Sequence, residues 1–186
     1  LGAGVGFSSI AFAKAIQYHE KETNTHHNLP MIVATDISKP SLTLITSNAH
    51  NNGVGDMVAA LEANHTDPKS LSLLSQQVGT PGRGNETKGG FSVIIGSSLQ
   101  ALFDKTSQQG AALWQSLDAL LSRENPNAVV ILSHVRTGDE KIELPSASER
   151  LFECVRRVSG DHFEMKTRDG SSSDFELVLL RRRRPM

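Results

Sequence analysis

Apolar residues recur along this chain in two periods, one helical and one extended. Between Ser8 and Glu20, Ile10, Ala11, Phe12, Ala15 and Ile16 recur at helical spacing, which predicts an amphipathic helix. The polar stretch Lys21 to Asn28 ends it, and Pro30 marks the edge of the next element. Met31-Ile-Val-Ala34 is a short, wholly apolar run of the kind that forms a buried parallel strand, and it ends in Thr35 and Asp36. Pro40 suits the first turn of a helix that carries Leu42, Leu44 and Ile45 towards Asn52 and Gly53. Asp56 to Leu61 reads as a third short strand, Phe91 to Gly96 and Ala128 to Leu132 as two more buried ones. A helix from about Gln109 to Glu124 lines up Leu113, Trp114, Leu117, Leu120 and Leu121 on one face, and Pro126 stops it. A further helix is expected over Ala147 to Val158, with Leu151, Val155 and Val158 inward. Phe163 to Thr167 and Phe175 to Leu180 read as an antiparallel pair across the turn Arg168-Asp-Gly170. Strands that alternate with helices imply an α/β fold with a mostly parallel sheet covered on both faces, and no segment repeats.

Composition narrows the class without naming it. A chain of 186 residues suits one domain, 1–186, with enough length to bury a core. Residues 64–90, rich in Ser, Gly, Asn, Thr, Gln and Pro, read as a surface insertion whose apolar patch, Leu71 to Leu74, allows one helical turn. A net charge of −1 argues against whole-molecule attraction to nucleic acid or membrane. The run Arg181 to Arg184 reads as a basic tail over 181–186, and Ser171 to Ser173 as turn residues. The single Cys154, beside Phe152 and Val155 in a helical pattern, reads as a buried thiol, and the lack of a possible internal disulfide favours a reducing compartment. No apolar run approaches the roughly 20 residues of a bilayer span, and the apolar, glycine-broken start lacks a basic leader. The expected location is cytoplasmic, with the nucleus not excluded. His19, His26 and His27 read as solvated loop residues rather than metal ligands.

The candidate chemistry starts at Leu1-Gly-Ala-Gly-Val-Gly-Phe7. Glycines at 2, 4 and 6 let the backbone turn tightly out of a strand and approach a ligand closely, and the helix behind them offers free N–H groups. A dinucleotide fingerprint, G-x-G-x-x-G, would need glycine at position 7, where this chain has Phe7. A plain strand-to-helix turn is the alternative. Asp36 ends the Met31–Ala34 run at the carboxyl edge, where ligands bind in open α/β sheets. A carboxylate there can accept both hydroxyls of a ribose, or it can cap the next helix or stand as a solvated loop acid.

The pattern G-x-G-x-G behind Leu1 is similar to motif I of S-adenosylmethionine-dependent methyltransferases. The order LGAGVG, ATD, SNAHNNG, FSVIIGSS, AVVILSHVR and DFELVLLRRR resembles the seven-strand protein-lysine methyltransferases of methyltransferase family 16. The resemblance covers nearly the whole chain except Asn64 to Gly90. It implies a Rossmann-like sheet of order 3-2-1-4-5-7-6 with strand 7 antiparallel, and a first strand that is largely missing ahead of Leu1. It implies S-adenosylmethionine as cofactor, bound by Gly2, Ala3, Gly4, Gly6 and Asp36, with Ser97 and Ser98 lining the methyl-donor end. A protein lysine is the implied acceptor; nucleic acid and membrane partners are not implied. Asn48 and Asn52 match polar positions on the helix after strand 2. His134 and Arg136 follow strand 5, on the edge that faces substrate in the family.

Two departures separate the chain from active members of that family. Strand 4 usually ends in Asp-x-x-Tyr, and here Ser98-Leu-Gln-Ala101 stands in its place. A lysine must lose a proton before its nitrogen attacks a methyl group, and a carboxylate with an aromatic wall helps to hold that amine. After strand 3 the family often has Trp beside the adenine, where this chain has Ala63. No catalytic residue is assigned.

Overall fold

The computed structural model describes residues 1–23, 31–79, 90–97, 108–136, 146–159, 165–166 and 172–183. The chain is an α/β protein that divides into two units, Leu1–Asn64 and His65–Met186.

In the first unit the apolar run after Pro30 becomes strand β1 (Ile32–Asp36), which pairs in parallel with β2 (Val58–Glu62) from Ile32 opposite Val58 to Asp36 opposite Glu62. Parallel neighbours need a crossover. Helix α2 (Lys39–Asn51) supplies it, started by Ser38, whose side chain accepts the Ser41 N–H at 3.4 Å, and by a proline in its first turn. Helix α1 (Phe7–Thr23) comes before β1. Ile10 and Ala13 of α1, Ile45 and Ala49 of α2, Ala34 and Val58 of the strands, and Val54 and Met57 form one buried cluster. Ala11, Phe12 and Ala15, expected within the apolar pattern of α1, are exposed. The face that packs runs through Ile10, Ala13 and Ile16 instead, flanked by Gln17, whose amide donates to the Gly53 carbonyl at 3.0 Å.

The second unit holds helix α3 (Pro68–Gly79), strand β3 (Val93–Ser97), helix α4 (Gln108–Leu120), strand β4 (Val129–Arg136), helix α5 (Ser146–Leu151) and strands β5 (Phe152–Ser159), β6 (Met165–Lys166) and β7 (Ser172–Arg182). The sheet order is β3-β4-β7-β5, with β6 also against β7. β3 and β4 are parallel; β7 runs antiparallel to β4 and β5. All five residues of the predicted apolar face of α4 are buried, and fully enclosed Trp114 meets Phe152 at 5.9 Å between ring centroids.

Several expectations are corrected here. Residues 64–90 contain more than a helical turn: α3 has 12 residues, Asp67 holds its start through the Lys69 N–H at 3.0 Å, and Leu71 and Leu74 are buried. Helix α4 stops at Leu120 rather than near Glu124. Its exit is captured by the approach to β3: Phe91 N–H donates to the Leu120 carbonyl at 2.8 Å and Ser122 N–H to the Phe91 carbonyl at 2.9 Å. Only glycine fits at Gly90 (φ +68°), where a Cβ would lie 2.6 Å from the Leu120 oxygen.

The helix expected over Ala147 to Val158 is a short α5 followed by a strand. Phe152, Val155 and Val158 favour extended backbone, and the register slips between Cys154 and Arg156, leaving Val155 as the extra residue, 49% exposed. That bulge breaks the alternation that would have announced a strand. Cys154 is accordingly exposed, not buried.

Arg181 and Arg182 belong to β7, and with Arg183 they are tied down rather than forming a solvated tail. Arg181 grips Glu153 at 2.7 and 2.9 Å, and Arg183 donates its backbone N–H to the Leu151 carbonyl at 2.9 Å. Ser172 and Ser173, expected in a turn, start β7 and pair with Lys166 and Met165. The turn Arg168-Asp-Gly170 lies outside the described residues, as do His26 and His27. No described helix is long and apolar enough to cross a membrane. Among the described residues no three His, Cys, Asp or Glu side chains are grouped to hold a metal ion.

Candidate cofactor site

Chain geometry brings the opening glycines onto the carboxyl end of β1. Ala3 N–H donates to the Thr35 carbonyl at 2.9 Å, so the backbone entering the loop continues alongside the strand. Gly2, Gly4 and Gly6 have φ values of 60°, 55° and 86°, a region that disfavours every residue with a Cβ. Gly6 N–H closes the turn onto the Ala3 carbonyl, and Ile10 N–H returns to Gly6, both at 2.9 Å, which launches α1.

Asp36 sits half-buried at the centre of this arrangement. Its Oδ2 accepts the Gly4 N–H and its Oδ1 the Ser38 N–H, each at 2.9 Å. One carboxylate therefore joins the glycine loop to Ser38, the residue that caps α2. A carboxylate has about four acceptor positions, so roughly two remain for a ligand's hydroxyls.

Space is distributed unevenly around the loop. A Cβ on Gly4 would meet nothing within 4 Å, whereas one on Gly6 would come within 3.2 Å of the Ile45 side chain. Gly4 thus borders an open approach, and Gly6 is a packing position. Gly4→Ala is expected to cost about 1 kcal/mol of stability, from the left-handed backbone alone. Gly6→Ala is expected to cost about 2–4 kcal/mol, because strain and crowding add. Urea midpoints of the two variants check the order; equal losses would contradict it.

One residue and two contacts escaped the sequence reading. Ile37, directly after Asp36, is 64% exposed and presents an apolar surface next to the carboxylate. Asn48 of α2 donates from Nδ2 to the Val5 carbonyl at 3.0 Å, giving contact to a residue noted only as polar. Ala63 N–H donates to the Asp36 carbonyl at 3.1 Å. Ala63 itself is fully buried, so its side chain is a core element.

Gly2, Ala3, Gly4, Gly6 and Asp36 are all residues of the first unit, and the contacts above join Ala3, Gly4, Gly6 and Asp36. Ser97 belongs to the second unit, where it ends β3 opposite Ser133 and is exposed. Ser98 and the rest of Ser98-Leu-Gln-Ala101 lie outside the described residues. His134 and Arg136 take positions in β4 opposite Glu176 and Asp174 of β7.

No protein-family model and no curated protein matches the chain. Solved structures do share its fold. The StiE O-MT segment is 11% identical with a TM-score of 0.58, over 100% of this chain and 67% of its own. TrmN from Thermus thermophilus is 14% identical with a TM-score of 0.58, over 97% of this chain and 42% of its own. LepI in complex with SAM is 9% identical with a TM-score of 0.52, over 98% of this chain and 42% of its own. The chain thus spans less than half the length of two of these proteins. The likeness is one of fold: an α/β architecture that includes a protein solved with S-adenosylmethionine.

Proposed function

We propose that this chain binds S-adenosylmethionine at the glycine loop and Asp36 and transfers its methyl group, with a protein lysine as the acceptor. The observation that carries the reading is the Asp36 carboxylate. It is fixed by two backbone N–H groups at the carboxyl end of a parallel strand, beside a glycine with open space over it. Open α/β sheets take their ligands at that edge. The residues present fit the cofactor: Gly4 leaves room for close approach, Asp36 has acceptor capacity for ribose hydroxyls, and Ile37 offers an apolar face to a purine. When bound, S-adenosylmethionine supplies an electrophilic methyl group on a sulfonium.

What the chain contributes is placement. Methyl transfer depends mainly on proximity, alignment and exclusion of water. Asp36 and the loop orient the donor. Ser97 and Ser98, by their place after the family's fourth strand, are our candidates for its methionine end. The two observed sheets carry β2-β1 and β3-β4-β7-β5, which agree with the 3-2 and 4-5-7-6 portions of the family order. We extend this to one methyltransferase-like domain over 1–186 of full order 3-2-1-4-5-7-6. Ala3, whose N–H donates to the Thr35 carbonyl, lies beside β1 in keeping with that order.

A second reading, cofactor binding without transfer to lysine, is favoured by one feature. Ser98-Leu-Gln-Ala101 offers neither the carboxylate nor the phenol that holds an amine in active family-16 enzymes. The same scaffold also serves small-molecule and nucleic-acid acceptors. Titration calorimetry with S-adenosylmethionine, followed by incubation of cell extract with the methyl-labelled cofactor, separates these readings. Label in lysines of the protein fraction supports the proposal; binding without any labelled product supports the second reading; no binding removes both.

A further inference from the structure

The glycines that make the loop possible also make it loose, because a peptide flanked by glycine can rotate at little steric cost. The Val5–Gly6 peptide is held against such rotation at both ends. Its carbonyl accepts the Asn48 amide at 3.0 Å and its N–H donates to the Ala3 carbonyl at 2.9 Å. Asn48 reaches it from the same face of α2 that sets Ile45 beneath Gly6, three residues earlier in the helix. With the Gly4 N–H committed to Asp36, the Val5 N–H is left as a loop donor with no partner among the described residues.

We infer that Asn48 is a positioning residue for the glycine loop: by holding the Val5 carbonyl towards α2 it fixes the peptide whose N–H closes the turn onto Ala3. In its absence the peptide can turn, which pulls the Gly6 N–H off the Ala3 carbonyl and loosens the turn that sets the neighbouring Gly4 and Val5 N–H groups. The residue touches no cofactor atom in this scheme. It acts through Val5, and the inference rests on the cofactor reading only for its effect on affinity.

The chemistry requires a donor at this position, and that separates positioning from packing. Asn48→Ala removes the donor. Asn48→Asp keeps the shape but faces a carboxylate oxygen to the Val5 carbonyl. Asn52→Ala is the matched control, since the Asn52 amide donates to the Asn48 backbone carbonyl at 2.8 Å and does not reach the loop. Full-length chains are compared by calorimetry with S-adenosylhomocysteine and, without ligand, by amide hydrogen exchange at Gly6.

The expected affinity loss is about 2- to 12-fold for Asn48→Ala, the loss of one net hydrogen bond. Asn48→Asp should bind more weakly still, and Asn52→Ala should match the wild type. Gly6 exchange should quicken in both Asn48 variants. Binding by Asn48→Asp close to wild type, equal losses in Asn52→Ala and Asn48→Ala, or unchanged Gly6 exchange would each overturn the inference. Should the wild type itself not bind S-adenosylhomocysteine, the cofactor reading falls while the exchange rates still decide the role of Asn48.

Discussion

Replacing Asp36 with alanine should abolish measurable binding of S-adenosylhomocysteine and lower stability by about 1–3 kcal/mol. The binding loss combines two effects. A ligand ribose loses two charge-assisted hydrogen bonds, worth about 1.5–3 kcal/mol each, so the dissociation constant should rise at least about 100-fold. The loop also loses its anchor, because the Gly4 N–H and the Ser38 N–H both end on this carboxylate. The stability loss reflects those two half-buried donors seeking water instead. Asp36→Asn should fall between: an amide oxygen satisfies one of the two N–H groups, and its NH2 opposes the other. Calorimetry measures the binding and a urea melt the stability. An Asp36→Ala chain that binds like the wild type would show that the ligand lies elsewhere.

The second large effect is expected far from any ligand. One guanidinium, that of Arg182, gathers the exit of α4. Its Nε donates to Asp118 Oδ1 at 2.6 Å, Nη1 to the Ser122 carbonyl at 3.0 Å, and Nη2 to the Leu121 carbonyl at 3.0 Å and to the Asp118 carbonyl. The last carbonyls of a helix have no partner within it and carry partial negative charge. The side chain is only 20% exposed, so water replaces it poorly. Arg182→Ala should lower the unfolding free energy by about 2–4 kcal/mol. Arg182→Lys should recover less than half of that, since a single ammonium cannot span three carbonyls and a carboxylate. Urea midpoints measure both; an unchanged midpoint in Arg182→Ala would return these arginines to the surface role their sequence suggests.

That reversal shows where sequence reading reached its limit. Four consecutive arginines carry no information on their partners, and Glu153, Asp118 and the end of α5 become partners only once β7 is placed between β4 and β5. The Ala147 to Val158 segment failed for a related reason. Leu151, Val155 and Val158 match a helical period by chance, and a bulge at Val155 hides the extended one. By contrast, Met31 to Asp36 and Ala128 to Leu132 were legible because short apolar runs bounded by proline read as strands, although β1 is only partly buried and Met31 is 61% exposed. The face of α4 was legible because five large residues repeat with one period.

The site was half legible. Positive φ at Gly2, Gly4 and Gly6 and the contact of Gly4 with Asp36 agree with a tight glycine turn lying against a strand-end acid. The different tasks of Gly4 and Gly6 could not be read, since Ile45 lies 39 positions beyond Gly6 and meets it only through the packing of α2. Asn48 was visible as a polar residue but not as a donor to Val5, because the hydrogen bond spans 43 positions.

The most direct test is a crystal structure of the chain with S-adenosylhomocysteine. Ribose hydroxyls within about 3 Å of the Asp36 carboxylate, and the ligand's backbone passing over Gly4, are the expected result. A ligand seated away from β1, with Asp36 still engaged only by Gly4 and Ser38, would contradict it.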